Sequence, residues 1–125
     1  MKNIPQIFDG EYKMAQIIWD FAPITTHDLV RKCQELLNWK RTTTYTVLKK
    51  LCERGVFLME NKTVTVLIPR EQVQVSQGEA FLNRAFGGSL PGFIAAFARE
   101  KRLSPDDVAE IRRLIDDYER KDHHA

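Results

Sequence analysis

Apolar residues recur at helical spacing in three successive segments of the N-terminal half of the chain. The first apolar face has the spacing i, i+3, i+4, i+7 and consists of Met14, Ile17, Ile18 and Phe21. The second consists of Leu29, Val30, Cys33, Leu36 and Leu37, and the third of Val47, Leu48, Leu51 and Cys52. Pro23 separates the first two segments, because the residue before a proline avoids the α region. The pattern predicts three amphipathic helices.

Residues that favour helix ends mark the limits of these helices. Asp9 is expected to cap the first helix, and Thr25 or Thr26 the second, because short polar side chains accept hydrogen bonds from the first free amides of a helix. The third helix is expected over 41–54. Gly55 follows it, and glycine readily adopts the left-handed conformation that ends helices.

The spacing of the apolar residues changes from that of a helix to that of a strand after the third helix. Two runs of β-branched and apolar residues, 56–59 and 63–68, are separated by a polar segment at 60–62 and followed by Pro69. Within that segment, Asn61 is the residue best suited to a positive φ. The pattern predicts a β-hairpin directly after the third helix.

Three more helices are predicted in the C-terminal part. The first is expected over 76–86, after a polar approach at 71–77. The second and third begin at Ser89 and Ser104, each followed by a proline near the first helical position, where proline is favoured. The last residues, 120–125, are expected to fray.

These C-terminal helices carry more large apolar side chains than short helices can bury alone. A second copy of the same helices would cover them, so we expect a homodimer; the other reading is that they fold back on the N-terminal part. The predicted dimerisation residues are Phe81, Phe86, Phe93, Ile94, Phe97, Ile111, Ile115 and Tyr118.

The net charge of +2 hides an uneven distribution. Residues 1–70 carry a net charge of +4, and residues 71–125 a net charge of −2. Within the first part, the segment 38–54 has five Lys or Arg residues against one acidic residue. The predicted third helix is therefore cationic, and a cationic helix followed by a hairpin favours a nucleic acid as partner.

Three helices followed by a hairpin is the element order of a winged helix-turn-helix, whose third helix enters the major groove while the hairpin forms the wing. We expect Arg41, Thr43 and Thr46 to contact base edges and the lysines to bind phosphates, which position the protein. The predicted DNA-binding residues are Lys40, Arg41, Thr42, Thr43, Tyr45, Thr46, Lys49, Lys50, Arg54 and Lys62. The predicted fold class is mainly α, with a winged-helix DNA-binding domain at 1–70 and a helical dimerisation region at 71–125.

Other functional classes find less support in the sequence. Cys33 and Cys52 form no CxxC pair, which excludes a disulfide scaffold and a cysteine zinc finger, and no metal or cofactor is expected. His27 stands alone outside any catalytic motif, so we do not expect an enzyme. The remaining alternatives are a winged helix that binds proteins and one that binds DNA without sequence preference. No secretory signal or membrane span is recognisable, and a cytoplasmic setting is expected.

Several motifs follow one another along nearly the whole chain. They are Ile4-Pro5-Gln6-Ile7, Asn38-Trp39, Thr43-x-x-Thr46-x-Leu48-x-Lys50-Leu51 before Gly55, Phe81-Leu82-Asn83-Arg84 and Gly88-x-Leu90. In the order and spacing of these motifs, the chain resembles the penicillinase repressor (BlaI/MecI/CopY) family of winged-helix transcriptional regulators.

The resemblance implies a homodimeric repressor that binds a palindromic operator in double-stranded DNA. In that family a membrane sensor with a zinc protease domain detects a β-lactam, and the repressor is then cleaved in its dimerisation region. The matching bond joins Ala96 and Phe97; the family pattern has Asn before Phe, and this chain has Ala96. The copper-responsive relatives end in a cysteine-rich metal site. This chain has no cysteine after Cys52, which excludes copper sensing of that kind.

Overall fold

The computed structural model describes residues 4–123, and these residues form helices and short strands in the predicted order. The elements are α1 (Asp9–Phe21), β1 (Ile24–Thr25), α2 (Thr26–Leu37), α3 (Arg41–Glu53), β2 (Phe57–Glu60), β3 (Thr63–Val66), α4 (Arg70–Phe86), α5 (Leu90–Arg99) and α6 (Pro105–His123). They belong to two compact units, Met1–Ala80 and Phe81–Ala125. None of the helices in the described part of the chain combines the length and the apolar character needed to cross a membrane.

The first unit is a winged helix-turn-helix, which confirms the predicted fold class. Its three N-terminal helices accompany an antiparallel sheet of strand order β1-β3-β2. Strand β1, which the sequence does not predict, pairs Ile24 with Val64 and Thr25 with Thr63. Strands β2 and β3 pair along their whole length as the predicted hairpin. The hairpin is therefore attached to the chain segment that leads into α2.

The turn of the hairpin has an unusual backbone at both of its central residues. Asn61 has a φ of 51° and Lys62 a φ of 60°. Positive φ at both positions produces the two-residue turn whose twist matches that of the flanking strands. The predicted positive φ at Asn61 is confirmed, and Lys62 shares it.

The core of the first unit is built mainly from the predicted apolar faces. Its largest fully buried apolar side chains are Phe57, Met14, Ile18, Leu29, Leu51, Val56, Val64 and Val73. Full burial of a side chain of this size contributes about 1.5–3 kcal/mol. Phe21 and Leu36, which lie near the ends of their helices, remain exposed. The apolar stripes of α1 and α2 are thus buried in their middle and open at their C-terminal ends.

Trp19 of α1 joins several parts of the first unit. Its indole N–H donates a hydrogen bond to the backbone oxygen of Ile68 at 3.1 Å. Its ring centroid lies 5.6 Å from that of Phe57 in β2 and 5.9 Å from that of Tyr12. One side chain therefore connects α1 with the hairpin and with the segment that leads into α4.

The start of α1 is held by a carboxylate that sequence analysis does not single out. Phe8 is the N-cap residue, and its backbone N–H donates to the Glu11 carboxylate at 3.1 Å. The same carboxylate binds the guanidinium of Arg54, at the end of α3, at 3.1 Å. The prediction that Asp9 caps α1 is wrong, because Asp9 is already helical and Glu11 reaches back to the free amide.

Helix α4 begins earlier than predicted. Arg70 donates to the backbone oxygen of Gln16 at 3.2 Å, forms an ion pair with Asp20, and lies 5.6 Å from the centroid of the Trp19 ring. Val73 is fully buried. The predicted start at residue 76 is wrong, because these contacts with α1 fix the preceding turns. The division between the units at Ala80 consequently lies beyond the limit of 70 drawn from the sequence.

In the second unit, both predicted capping residues perform that role. The Ser89 hydroxyl accepts a hydrogen bond from the backbone N–H of Gly92 at 2.8 Å. The Ser104 hydroxyl accepts a hydrogen bond from the backbone N–H of Asp107 at 3.0 Å. These bonds explain where α5 and α6 begin.

The end of α6 departs from the prediction. The helix continues to His123, so the expectation of fraying is wrong for 120–123, while residues 124 and 125 lie outside the described part. Arg120 forms an ion pair with Asp117 one turn earlier, and such pairs support a helix.

Four phenylalanines of the second unit form a cluster of rings. Phe93 lies at its centre, with centroid distances of 4.7 Å to Phe97, 5.3 Å to Phe86 and 6.1 Å to Phe81. Yet no residue from 81 to 121 is buried. A unit whose large side chains all remain in contact with solvent has an incomplete core.

The buried carboxylate at the start of α1 gives a test of the fold. Glu11→Gln keeps a hydrogen-bond acceptor for Phe8 but removes the charge that binds Arg54. We expect the free energy of unfolding, measured by urea denaturation of the whole chain, to fall by about 1–2 kcal/mol, because a partly buried guanidinium loses its partner. Glu35→Gln, at an exposed position of α2, is the control. A change no larger than that of the control contradicts the assigned role.

Candidate nucleic-acid interface

Helix α3 divides its side chains between the core and solvent. Thr44, Leu48 and Leu51 are buried, and the Thr44 hydroxyl donates to the backbone oxygen of Lys40 at 3.1 Å. The exposed side carries Thr42, Thr43, Thr46, Lys49 and Lys50, which we call the outward face of α3. Because the buried residues hold the helix against the core, the outward face is presented by a rigid element.

The outward face combines short hydroxyl side chains with cations. Its threonines lie in the first half of α3, and Lys49 and Lys50 in the second. The Thr46 hydroxyl donates to the backbone oxygen of Thr42 at 2.9 Å. Its proton is therefore engaged within the helix, and the side chain offers two acceptor lone pairs and a methyl group to a ligand.

Arg41 and Tyr45 lie on the side of α3 that faces α2 and the wing. The Arg41 guanidinium is 5.5 Å from the centroid of the Tyr45 ring, a cation–π distance. Lys40, the N-cap residue of α3, is exposed. All three are predicted DNA-binding residues, and they lie together at the N-terminal end of α3.

Arg54 occupies a different environment from the other predicted DNA-binding residues. Its guanidinium binds the Glu11 carboxylate and lies 5.0 Å from the centroid of the Phe8 ring. Its assignment as a phosphate contact stays a prediction, and the structure shows that its charge is already engaged by a buried carboxylate. We leave Arg54 out of the candidate interface.

A cavity of about 630 Å³ lies between α2, α3 and the wing. We call it the α2–wing groove. It is lined by Thr26, His27, Val30, Arg31, Gln34, Arg41, Tyr45, Met59 and Lys62. The lining has no acidic residue. His27, Arg31 and Gln34 are absent from the predicted interface, although their spacing of i, i+4, i+7 along α2 indicates one helical face.

The wing is fixed to the start of α2. The backbone N–H of Thr26 donates to the backbone oxygen of Lys62 at 2.9 Å, next to the pairing of Thr25 with Thr63. Thr25 also caps α2, because its hydroxyl accepts from the backbone N–H of Asp28 at 3.1 Å. Lys62 therefore stands on a turn that is tied to α2, with its side chain exposed.

The thiols lie in surroundings that suppress ionisation. Burial raises the pKa of the Cys33 thiol, and a hydrogen bond with Thr44 lowers it by less. Burial likewise raises the pKa of Cys52 more than its hydrogen bond with the Met59 backbone lowers it. Both stay protonated at neutral pH, which suits packing rather than nucleophilic chemistry. In the part of the chain that was described, no three His, Cys, Asp or Glu residues form a group able to hold a metal ion.

The predicted cleavage bond lies inside α5. Ala96 and Phe97 line a small cavity of about 290 Å³ together with Glu100 and Arg102. The backbone oxygens of both residues accept hydrogen bonds, from Glu100 at 3.3 Å and from Arg102 at 2.8 Å. The bond is thus part of a regular helix near its C-terminal end.

The predicted dimerisation residues are all at least partly exposed within one chain. Phe81, Phe97, Ile115 and Tyr118 are exposed, and Phe86, Phe93, Ile94 and Ile111 are half-buried. Ile115 and Tyr118 of α6 are 52% and 68% exposed, which leaves most of each side chain free for a partner.

Known proteins resemble this chain over most of its length. The penicillinase repressor of Bacillus licheniformis is 25% identical over 126 residues, which cover 97% of this chain and 98% of the relative. The penicillinase repressor of Staphylococcus aureus is 20% identical over 93% of this chain and 95% of its own. The methicillin resistance regulatory protein MecI of Staphylococcus aureus (strain N315) is 20% identical over 88% of this chain and 93% of its own.

A solved structure and a family profile add to these relatives. The solution structure of the DNA-binding domain of the repressor BlaI is 28% identical, covers 56% of this chain and 90% of that domain, and has a TM-score of 0.48. The profile of the penicillinase repressor family matches residues 8–117. Since this match spans most of the chain, the protein belongs to the penicillinase repressor family.

Proposed function

We propose that the protein is a homodimeric repressor that binds a palindromic operator, with α3 of each chain in the major groove. The observation that carries this proposal is the outward face of α3, where threonines and lysines are exposed together on a helix held by the core. Membership of a family of repressors supports it. Because a repressor acts on DNA, we place the protein in the cytoplasm and assign it no enzymatic activity.

In this proposal, the first turns of α3 read the base sequence. Arg41 can donate two hydrogen bonds to guanine, and Thr43 can exchange hydrogen bonds with either kind of base. Thr46 keeps only acceptor capacity and a methyl group, which suit the amino group of adenine or cytosine, or the methyl group of thymine. Thr42 and Tyr45 lie beside Arg41, Thr43 and Thr46 on α3 and complete the contacts to the DNA.

Lysines supply the phosphate contacts. Lys40 lies at the start of α3, Lys49 and Lys50 lie in its second half, and Lys62 stands on the wing. Such contacts add affinity without sequence preference and release condensed counterions, so they make binding dependent on salt.

A second copy of the chain completes the core of the second unit. No side chain from 81 to 121 is buried in one chain, although all eight predicted dimerisation residues are large aromatic or isoleucine side chains of the kind that cores contain. A twofold dimer places identical faces against each other and presents two copies of α3 to two half-sites.

Release from the operator is proposed to follow hydrolysis of the Ala96–Phe97 bond by a membrane sensor–protease pathway that responds to a cell-wall antibiotic or a similar signal. Water adds across the peptide bond and leaves a carboxylate on Ala96 and an amino group on Phe97. The cut separates Phe97 and α6 from the other rings of the cluster, which weakens the dimer.

The DNA-binding face is tested by Lys49→Ala combined with Lys50→Ala. We expect weaker binding to the DNA upstream of the chain's own gene, and a slope of log Kd against log salt concentration that falls by about two, because two phosphate contacts are lost. Lys13→Ala with Lys121→Ala makes the same change in charge at exposed positions outside the face and should leave the slope unchanged. Equal slopes for the two double variants remove this face from the interface. Equal binding of operator and unrelated DNA favours a non-specific binder or a protein-binding module.

The dimer is tested by Ile115→Glu in the whole chain. Because Ile115 is mostly exposed in one chain, the substitution should leave the helix content unchanged by circular dichroism and should shift the protein to monomer in sedimentation velocity. Ala109→Glu introduces the same charge at an exposed position of α6 away from the apolar stripe and should leave the dimer intact. A dimer that survives Ile115→Glu argues against this surface.

The release step is tested by mass spectrometry of the protein recovered from its own cells before and after exposure to a β-lactam. We expect a fragment that ends at Ala96 to accumulate after exposure. Phe97→Ala, which leaves α3 untouched, should reduce that fragment. Relief of repression while the chain stays intact contradicts this route.

A further inference from the structure

Helix α5 is closed by a lysine in the left-handed conformation. Lys101 has a φ of 56°. Its backbone N–H donates to the oxygen of Ala98 at 3.1 Å, and the N–H of Arg102 donates to the oxygen of Phe97 at 2.8 Å. These two bonds form the Schellman motif, which ends a helix through one left-handed residue. The motif at the end of α5 therefore depends on the conformation of Lys101.

A lysine pays a conformational cost at this position. In the left-handed region the Cβ atom of an L-residue crowds the following carbonyl oxygen, whereas glycine has no Cβ atom and asparagine is tolerated. Left-handed residues also close α2, α3 and α4, and there they are Asn38, Gly55 and Gly87. The last turn of α5 is consequently closed less firmly than a glycine would close it.

The same turn covers the proposed cleavage bond. The carbonyl of Ala96, which the attacking water must reach, accepts from the N–H of Glu100 at 3.3 Å, beyond the usual range of about 2.7–3.2 Å. The next carbonyl, that of Phe97, accepts the Schellman bond. Because a protease binds its substrate as an extended strand, these hydrogen bonds must break before hydrolysis. Opening of the last turn of α5 is thus a step that precedes cleavage.

We propose that Lys101 sets how often the Ala96–Phe97 bond becomes available to a protease, and is thereby a positioning residue for cleavage. The inference rests on the proposed function, because it requires the release step. The cost of the left-handed lysine raises the population of the open turn, in which residues 94–99 are extended. Water then adds to the carbonyl carbon of Ala96, the C–N bond breaks, and the nitrogen of Phe97 takes a proton and leaves as an amine.

Lys101 can be changed without disturbing the rings of the second unit. Its side chain is exposed, whereas Phe97 packs against Phe93 with a centroid distance of 4.7 Å. Substitution of Phe97 alters the cleavage bond and the cluster of rings together. Substitution of Lys101 alters only the end of the helix, so it separates the opening of α5 from the packing of the rings.

The test uses the whole chain and thermolysin, a zinc protease that cuts before large apolar residues, at a concentration where the rate follows the population of the open turn. Lys101→Gly should slow the cut between Ala96 and Phe97 by about fivefold, because the left-handed cost is removed. Lys101→Asn should slow it by less. Lys101→Gln removes the same charge, keeps the conformational cost and should leave the rate unchanged. Mass spectrometry of the fragments identifies the bond that is cut.

Hydrogen exchange shows whether the variants act on the helix end. The amide of Arg102 should exchange about fivefold more slowly in Lys101→Gly, while the amide of Val108, which donates to the oxygen of Ser104 at the start of α6, should keep its rate. Equal rates of cutting for the wild-type chain and Lys101→Gly overturn the inference. A fall with Lys101→Gln as large as with Lys101→Gly also overturns it, because the protease then recognises the charge.

Exposure of the protein's own cells to a β-lactam separates this inference from the proposal on which it rests. Slower accumulation of the fragment that ends at Ala96 in Lys101→Gly than in the wild-type chain supports both. A fragment that accumulates equally fast in the two chains leaves the release step standing and overturns the role of Lys101. If the wild-type chain gives no fragment, the release step fails and the inference fails with it.

Discussion

The contacts of Trp19 are the constraint on which the first unit depends. The side chain packs against Phe57 of the hairpin, donates to the backbone of Ile68, and lies under the guanidinium of Arg70. One residue of α1 thus holds the wing, the segment after the wing and the start of α4. Because the half-buried indole joins these three segments by packing and by a hydrogen bond, this centre helps to determine how the sheet meets the helices.

With that centre in place, the orientation of α3 follows from its own core residues. Leu48 and Leu51 enter the core, Thr44 is buried next to Cys33, and the remaining positions must face outward. Arg54 adds a link from the end of α3 to the start of α1 through Glu11. The helix is consequently fixed at its middle and at its C-terminal end, while its N-terminal end, with Arg41 and the threonines, remains free to meet a ligand.

Much of this arrangement could be predicted from local sequence, and two of the failures, strand β1 and the start of α4, share one physical cause. The helices α1 to α3, the hairpin, and the caps at Ser89 and Ser104 depend on residues within a few positions of each other, so periodicity and capping chemistry reveal them. Strand β1 depends on pairing with Val64, and the start of α4 depends on Arg70 reaching Gln16 and Asp20. Neither contact leaves a signal near its own position in the sequence.

The same reason explains what was missed at the candidate site. Arg54 has the composition of a phosphate ligand, and only its partner Glu11, 43 residues earlier, shows that its charge is engaged. Arg31 looks like an ordinary solvent-exposed residue of α2 until the wing is placed opposite it. A signal was present in the spacing of His27, Arg31 and Gln34, but a polar helical face indicates solvent as readily as a ligand.

The two units have complementary weaknesses that the proposed dimer would resolve together. One winged helix offers few phosphate and base contacts, so a single half-site binds weakly at physiological salt. The second unit buries none of the side chains from 81 to 121 and lacks a closed core. Pairing two chains in the proposed way completes that core and also links two DNA-binding units, and linkage of this kind raises affinity by about 10²–10⁴-fold without any new contact to DNA. In the proposed dimer, damage to the second unit would therefore act on operator binding through the loss of linkage, and it would leave the intrinsic affinity of α3 for its half-site unchanged.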